Sequence, residues 1–155
     1  MRADLLDHLL ALDADINAVS ASGNTPLTQT IAAHSVWAAQ ALLFRGADPH
    51  RPNANGQSPY TLATEALEAA RSAKTQDAIA ALEVIAYLVG TAAALSTNSP
   101  QAIATLQLFF AVFTVDAQAL PTHLANGADV NAHGIGGNTP LMQATTSGSM
   151  RIISA

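Results

Sequence analysis

The sequence Gly-Asn-Thr-Pro-Leu at residues 23–27 returns as Gly-Gln-Ser-Pro-Tyr at 56–60 and again as Gly-Asn-Thr-Pro-Leu at 137–141. The first two copies are 33 residues apart, and the last two are 81 apart, which is two periods of 33 plus 15 additional residues. Recurrence at a fixed period of this length is typical of proteins that stack one small structural unit. The core of such a protein lies between neighbouring units.

A second motif keeps the same spacing. Asp-Ala-Asp-Ile-Asn at 13–17 is followed by Gly-Ala-Asp-Pro-His at 46–50 and Gly-Ala-Asp-Val-Asn at 127–131. In the first motif, Thr25 is suited to cap a helix and Pro26 to occupy its first position. In the second, Gly46 is suited to end a helix in the left-handed conformation. The two motifs therefore bracket a pair of short antiparallel helices in each unit.

The spacings divide the chain into five units. We predict a half repeat at 1–18, a repeat at 19–51, a lengthened repeat at 52–94, a degenerate repeat at 95–132 and a truncated repeat at 133–155. The third unit gains residues around 65–77, which predicts a longer first helix, and Gly90 is matched to Gly46 as the end of its second helix. The fourth unit has lost the opening motif and begins a helix at Ser99-Pro100. Pro121 is expected to shorten or kink the second helix of that unit.

These motifs resemble the ankyrin-repeat consensus Gly-x-Thr-Pro-Leu-His-x-Ala followed by Gly-Ala-Asp-x-Asn. The resemblance covers nearly the whole chain and is strongest at 13–63 and 123–148. The residue after the motif's Leu or Tyr is Thr28, Thr61 or Met142 rather than His, which predicts a looser tip at least at Met142. The resemblance implies an all-α ankyrin-repeat solenoid with short β-hairpin tips and irregular third and fourth repeats.

The resemblance also implies a non-catalytic scaffold that binds a protein partner. Family members usually bind through the hairpin tips and the concave face of the first helices. By position, the tip residues here are Val19, Ser20, Ser22, Arg51, Asn53, Asn55, Gln57, His133, Ile135 and Asn138. The concave positions are Ala32, Ala33, Glu65, Ala66, Thr146 and Ser147. Trp37 and Phe44, seven residues apart, form either an exposed stripe that docks a partner or a surface covered by the neighbouring units.

Composition argues against several other functions. The chain of 155 residues carries 11 acidic and six scattered basic residues, a net charge of −5, which does not favour nucleic acid as a partner. Neither the five histidines nor the acidic residues are spaced as metal ligands or paired catalytic carboxylates would be, so no metal, cofactor or enzyme activity is expected.

The start of the chain lacks the apolar run of a signal peptide, and the apolar stretch 102–115 is too short for a membrane span, which favours a cytoplasmic location.

Two alternatives to the scaffold remain open. The chain begins and ends on half repeats with apolar residues Leu5, Leu9 and Ile152, so it could be a structural segment of a longer array or could self-associate through these ends. It could also be a regulatory or inhibitory subunit whose lengthened third unit enters the cleft of an enzyme.

Overall fold

The structure is a computed structural model that describes residues 2–95 and 99–146, and all regular secondary structure in these ranges is helical. The α-helices are α1 (Arg2–Ala11), α2 (Pro26–Ala32), α3 (Val36–Leu43), α4 (Pro59–Ala73), α5 (Gln76–Leu95), α6 (Pro100–Phe113), α7 (Leu120–Ala125) and α8 (Pro140–Thr146). Short 3₁₀ turns cover Ala117–Ala119 and Ile135–Gly137. The prediction of an all-α protein is confirmed for these residues, whereas the expected β-hairpin tips are hydrogen-bonded turns in the described part of the chain.

The helices begin where the repeated motif predicts. The hydroxyl of Thr25 accepts a hydrogen bond from the Thr28 backbone N–H, and the Thr28 hydroxyl accepts one from the Thr25 N–H at 2.8 Å. Thr28, which stands in place of the family's histidine, thus completes a reciprocal cap on α2. The hydroxyls of Ser58 and Ser99 cap α4 and α6 by accepting a hydrogen bond from the backbone N–H three residues on, and each serine is followed by proline in the first turn.

The aspartates of the second motif are turn residues. Asp48 accepts a hydrogen bond from the His50 N–H at 2.8 Å, and Asp129 accepts one from the Asn131 N–H at 2.9 Å. The first two units are also joined here, because the Asp48 N–H donates to the side-chain carbonyl of Asn17 at 2.7 Å. The motif therefore fixes local turns and the contact between successive units.

The helices pack as neighbouring pairs. In the second unit α2 packs against α3, and in the third α4 packs against α5; between these units, α2 packs on α4 and α3 on α5. Further along, α6 contacts α5, α7 and α8. The buried core runs through α2 to α6 and includes Leu27, Leu43, Leu82 and Leu106, each at most 1% exposed. Successive helix pairs therefore contribute to one core, which is compatible with a helical repeat.

The third unit is lengthened in both helices. α4 has 15 residues and α5 has 20, against seven and eight in α2 and α3. The predicted end of the second helix at Gly90 is wrong, because α5 continues through Gly90 to Leu95. A Cβ atom on Gly90 would lie 2.5 Å from Cδ1 of Ile135 and 2.9 Å from the Tyr60 ring. Gly90 is therefore required for close packing rather than for a left-handed cap.

The helices of the fourth unit lie closer to the sequence-based prediction than those of the third unit. Its first helix begins at Pro100 with Ser99 as the cap, as predicted. Pro121 lies in the first turn of α7, a helix of six residues that follows a 3₁₀ turn. The second helix of this unit is thus short, as expected, and Pro121 helps to start it rather than to kink it.

α5 is also long and apolar enough to cross a membrane by length and composition alone. This helix is distinct from the apolar stretch 102–115, the segment weighed above as a membrane span. In the structure, α5 packs on α3, α4 and α6, and its side chains Leu82, Ile85 and Leu88 are fully buried in the core. A core helix surrounded by other helices is also apolar on most of its surface.

The predicted second helix of the fifth unit, which includes Ile152, lies outside the described residues.

Candidate functional site

The first two tips lie side by side. Each tip is closed by a backbone hydrogen bond of 2.9 Å, from Ser20 to Asn24 in the first and from Asn53 to Gln57 in the second. The Ala54 N–H donates to the carbonyl of Gly23 at 3.1 Å and joins the two tips. Gly23 has a left-handed φ of 81°, and a Cβ atom there would overlap the Cβ of Ala54. Glycine is therefore needed at 23 both for the turn and for the contact between tips.

Some of the predicted residues in these two tips are exposed, and others are half-buried by hydrogen bonds within the tip. The exposed ones are Val19, Ser20, Ser22, Arg51 and Asn55. Asn53 and Gln57 are half-buried, because the side-chain carbonyl of Asn53 accepts hydrogen bonds from the N–H groups of Asn55 and Gln57, each at 3.0 Å. Asn53 thus holds the tip in place and presents the exposed residues around it.

A groove of about 460 Å³ lies between α2 and α4, next to the paired tips. We call it the concave groove; its lining is Asn24, Thr28, Gln29, Ile31, Ala32, Asn53, Leu62, Glu65 and Ala66. Thr28 and Ile31 are buried, whereas Gln29 and Glu65 are exposed. The Glu65 carboxylate accepts a hydrogen bond of 2.6 Å from the side-chain amide of Gln57. The groove therefore combines apolar side chains with amide and carboxylate groups.

The third tip has different surroundings. It is closed by a 2.8 Å hydrogen bond from the Gly134 N–H to the Asn138 carbonyl, and it packs on α5. Ile135 is half-buried beside Gly90, so part of this predicted tip residue is covered by α5. His133 is exposed and Asn138 is half-buried. The fourth unit lacks the tip motif, and this tip contacts the lengthened helix instead.

Two further predicted positions differ from expectation. Of the adjacent concave positions Ala32 and Ala33, Ala32 lines the concave groove, whereas Ala33 is exposed and does not line it. Phe44 does not continue an exposed stripe from Trp37, because it is half-buried and makes an edge-to-face contact with Phe110 of α6, with ring centroids 5.9 Å apart. The alternative that a neighbouring unit covers these aromatics is correct for Phe44. Trp37 is 43% exposed.

Among the concave positions, the side chain of Thr146 and all of Ser147 lie outside the described structure.

Trp37 lines a second groove, of about 520 Å³, between α1 and the α2–α3 pair. We call it the end groove; it is lined by Leu5, Leu6, Leu9, Pro26, Gln29, Thr30, Ala33, Ser35, Trp37, Ala38 and Leu42. The guanidinium of Arg45 donates to both carboxylate oxygens of Asp7, with Nη2 and Oδ2 3.1 Å apart. These hydrogen bonds lower the pKa of the Asp7 carboxyl below its ordinary value of 3.8. An exposed ion pair thus connects α1 to the second unit.

Other perturbed groups have structural explanations. Burial raises the pKa of Tyr87 to about 12, and its hydroxyl donates to the Phe109 carbonyl at 3.3 Å while its ring stacks on Phe113. Burial also lowers the pKa of His123, against the opposing effect of Asp116. Within residues 2–95 and 99–146, no three His, Asp or Glu side chains are grouped as a metal site would require. The pKa shifts of Tyr87 and His123 therefore follow mainly from burial.

Comparison with known proteins supports the resemblance over about half of the chain. No protein-family model matches it. Over 87 residues the chain is 36% identical to the human SH3 and multiple ankyrin repeat domains protein 2. This match covers 53% of the chain and only 5% of the relative, so the chain spans a small part of that protein. The chain is thus similar to an ankyrin-repeat protein, a class associated with protein–protein interaction rather than with catalysis.

Proposed function

We propose that this chain is an ankyrin-repeat solenoid that acts as a non-catalytic protein-binding module. The binding surface consists of the concave groove and the paired first and second tips. The observation that carries the proposal is the concave groove itself, because it opens beside five exposed tip residues and is lined by both apolar and hydrogen-bonding groups. Such a lining suits a peptide segment, which has both backbone polar groups and side chains to place.

The chemistry of the groove favours a partner segment with apolar side chains and a cation. Ile31 and Leu62 offer apolar contacts, while Gln29 and Asn24 offer amides to the partner's backbone. Glu65 supplies the carboxylate at the edge of the groove, where it is exposed and held by Gln57. A Lys or Arg of the partner would pair with Glu65. Because helices and hydrogen-bonded turns fix these groups in advance, little ordering is needed when the partner binds.

The experiment is a selection of binding peptides from a displayed random library on the full chain, followed by calorimetric titration. We expect selected peptides to combine apolar residues with Lys or Arg. Ala32→Arg, which places a long cation in the groove, should weaken binding at least about tenfold, equivalent to the loss of about 1.4 kcal/mol. Ala69→Arg is the matched control, since Ala69 is exposed on α4 and does not line the groove.

A second pair of variants tests the charge. Glu65→Gln should reduce the affinity for cationic peptides, whereas Glu68→Gln on the same helix should not, because Glu68 is paired with Arg71 at 2.8 Å and lies outside the groove. Peptides that bind Ala32→Arg and the parent chain equally well would show that the concave groove is not the binding surface.

A further inference from the structure

A chain of three hydrogen-bonded side chains leads from the second tip into the concave groove. The side-chain nitrogen of Asn53 donates to the Gln57 side-chain carbonyl at 3.2 Å, and the side-chain nitrogen of Gln57 donates to Oε2 of Glu65 at 2.6 Å. The Asn53 side-chain carbonyl accepts the backbone N–H groups of Asn55 and Gln57, each at 3.0 Å. Since every nitrogen donates and every oxygen accepts, one orientation of each amide satisfies all four hydrogen bonds.

Gln57 is held through both its side chain and its backbone. It is half-buried, and its backbone carbonyl accepts the Asn53 N–H at 2.9 Å. Turning the Gln57 amide away from Glu65 would also disturb its hydrogen bond to Asn53, which belongs to the turn that closes the tip. Because the two hydrogen bonds are coupled in this way, we expect Gln57 to stay on Glu65 when a partner enters the groove.

Glu65 is the only charged residue in the lining of the concave groove. On the same helix, Glu68 is already paired with Arg71 at 2.8 Å, and Arg71 also donates to Glu83 at 3.4 Å. In the part of the chain that the structure describes, no Lys or Arg pairs with Glu65. Its carboxylate charge is therefore left for a cation of the partner, with the Oε2 side taken by Gln57.

The two cationic side chains make different demands on a carboxylate. The planar guanidinium of arginine pairs best as a fork, with two parallel hydrogen bonds to both oxygens. Asp7 shows this arrangement, because both of its carboxylate oxygens accept from Arg45. The ammonium of lysine is a compact charge that needs only one oxygen. At Glu65, the Gln57 amide competes with one arm of an arginine fork.

We propose that the concave groove selects lysine over arginine in its partner, and that Gln57 sets this preference by occupying Oε2 of Glu65. The inference rests on the proposed function, because it concerns a segment bound in the same groove. A lysine ammonium reaches Oε1 and keeps its other hydrogen bonds to water, since Glu65 is exposed. An arginine either forms one hydrogen bond in place of two or displaces Gln57.

Peptide pairs that differ only in Lys or Arg test this preference. The cationic position of a peptide selected on the full chain is synthesised as Lys and as Arg, whichever of the two the selection returns. Both peptides have acetylated N-termini, so that only the side chain supplies an ammonium. Calorimetric titration at one salt concentration should give a Kd for the Lys peptide about threefold lower than that for the Arg peptide, a ratio within the range of an exposed ion pair.

Gln57→Met tests the role of the amide, because it keeps a side chain of similar length but cannot donate to Glu65. The preference for Lys should disappear or reverse in this variant, mainly through tighter binding of the Arg peptide. Gln57→Ala replaces it if circular dichroism shows that Gln57→Met is unfolded. A Gln57 side chain that acted only on the stability of the tip would change both affinities together and leave their ratio unchanged.

Gln29→Met is the matched control. Gln29 is an exposed amide in the lining of the same groove, but Glu65 takes its side-chain hydrogen bond from Gln57. Losing the Gln29 amide should therefore weaken both peptides to a similar extent and preserve the ratio of their Kd values. A Gln29→Met variant that loses the preference for Lys, as Gln57→Met does, would contradict the specific role of Gln57.

Equal binding of the two peptides by the parent chain, or tighter binding of the Arg peptide, would overturn the proposal. So would a Gln57→Met variant that keeps the parent's ratio. Ala32→Arg separates these failures from failure of the proposed function. If it weakens binding while the parent prefers Arg, only the selectivity for lysine is contradicted; if it leaves the affinity unchanged, the groove as binding surface and its selectivity are both contradicted.

Discussion

The first two tips and the third tip lead into copies of the same repeated motif but contact different neighbours. Tips one and two are joined by the hydrogen bond from Ala54 to Gly23, and their polar residues surround the concave groove. The third tip packs on α5, where Ile135 contacts the helix beside Gly90. The local turn is therefore encoded by the motif, while the neighbouring unit determines which side chains are available to a partner.

The largest expected loss in the free energy of unfolding comes from Gly23→Ala, which disrupts the pairing of the first two tips. The new Cβ atom would overlap Ala54 and also occupy a left-handed backbone conformation. Gly56→Ala is the matched control, because Gly56 has a similar φ of 78° with open space around it. We expect Gly56→Ala to reduce the free energy of unfolding by about 1–2 kcal/mol, and Gly23→Ala by about 2–4 kcal/mol. Urea denaturation measures both; equal losses would contradict the close contact between tips.

The next effect concerns the third tip. Replacing glycine by alanine inside a helix ordinarily stabilises it by about 0.5–1 kcal/mol. At Gly90 we expect the opposite, a destabilisation of about 1–3 kcal/mol, because the methyl group would collide with Ile135 and Tyr60. Adding Ile135→Ala to Gly90→Ala should recover part of this loss in a double-mutant cycle. A Gly90→Ala variant that is more stable than the parent would show that the third tip does not pack closely on α5.

A smaller effect is expected from Asn53→Ala in the second tip. Its side-chain carbonyl accepts two backbone hydrogen bonds, and their loss should reduce the free energy of unfolding by about 1 kcal/mol. Asn55→Ala, on the same tip, should change it by less than about 0.5 kcal/mol, since Asn55 is exposed. The comparison is made by thermal and urea unfolding. A reversed order would mean that the tip does not depend on Asn53.

The smallest effect concerns the attachment of α1. Hydrogen bonds from Arg45 lower the pKa of Asp7, so the ion pair is fully formed above the carboxyl's ordinary pKa and is lost as the pH falls through the lowered value. Below about pH 4, α1 should begin to loosen, and the emission of Trp37 in the end groove should change. Asp7→Asn should lack this component of the titration. An unchanged titration in Asp7→Asn would assign it to other groups.

The sequence was sufficient to locate features that depend on near neighbours. Thr25, Ser58 and Ser99 were identifiable as helix caps because each bonds to a backbone group three residues away. Asp48 and Asp129 were identifiable as turn residues for the same reason. Arg51 and Asn55, which the resemblance to ankyrin repeats assigned to the tips, are exposed.

The features that the sequence did not reveal depend on distant contacts. Gly90 could end a helix or permit close packing inside one, and only the presence of Ile135 and Tyr60 beside it distinguishes the two roles. The burial of Phe44 similarly depends on Phe110, 66 positions later in the chain. Of the two adjacent concave positions that were predicted, Ala32 lines the concave groove and Ala33 does not, which position in the repeat alone does not distinguish.

The most direct test of the proposed binding surface is hydrogen exchange, measured by mass spectrometry, on the full chain with and without a peptide selected as described above. Slower exchange in the presence of peptide is expected in 20–32 and 53–66, which contain the paired tips and the walls of the concave groove. The third tip, at 133–138, and α1 should exchange at unchanged rates. Protection confined to the third tip or to α1 would contradict the account and place the partner elsewhere.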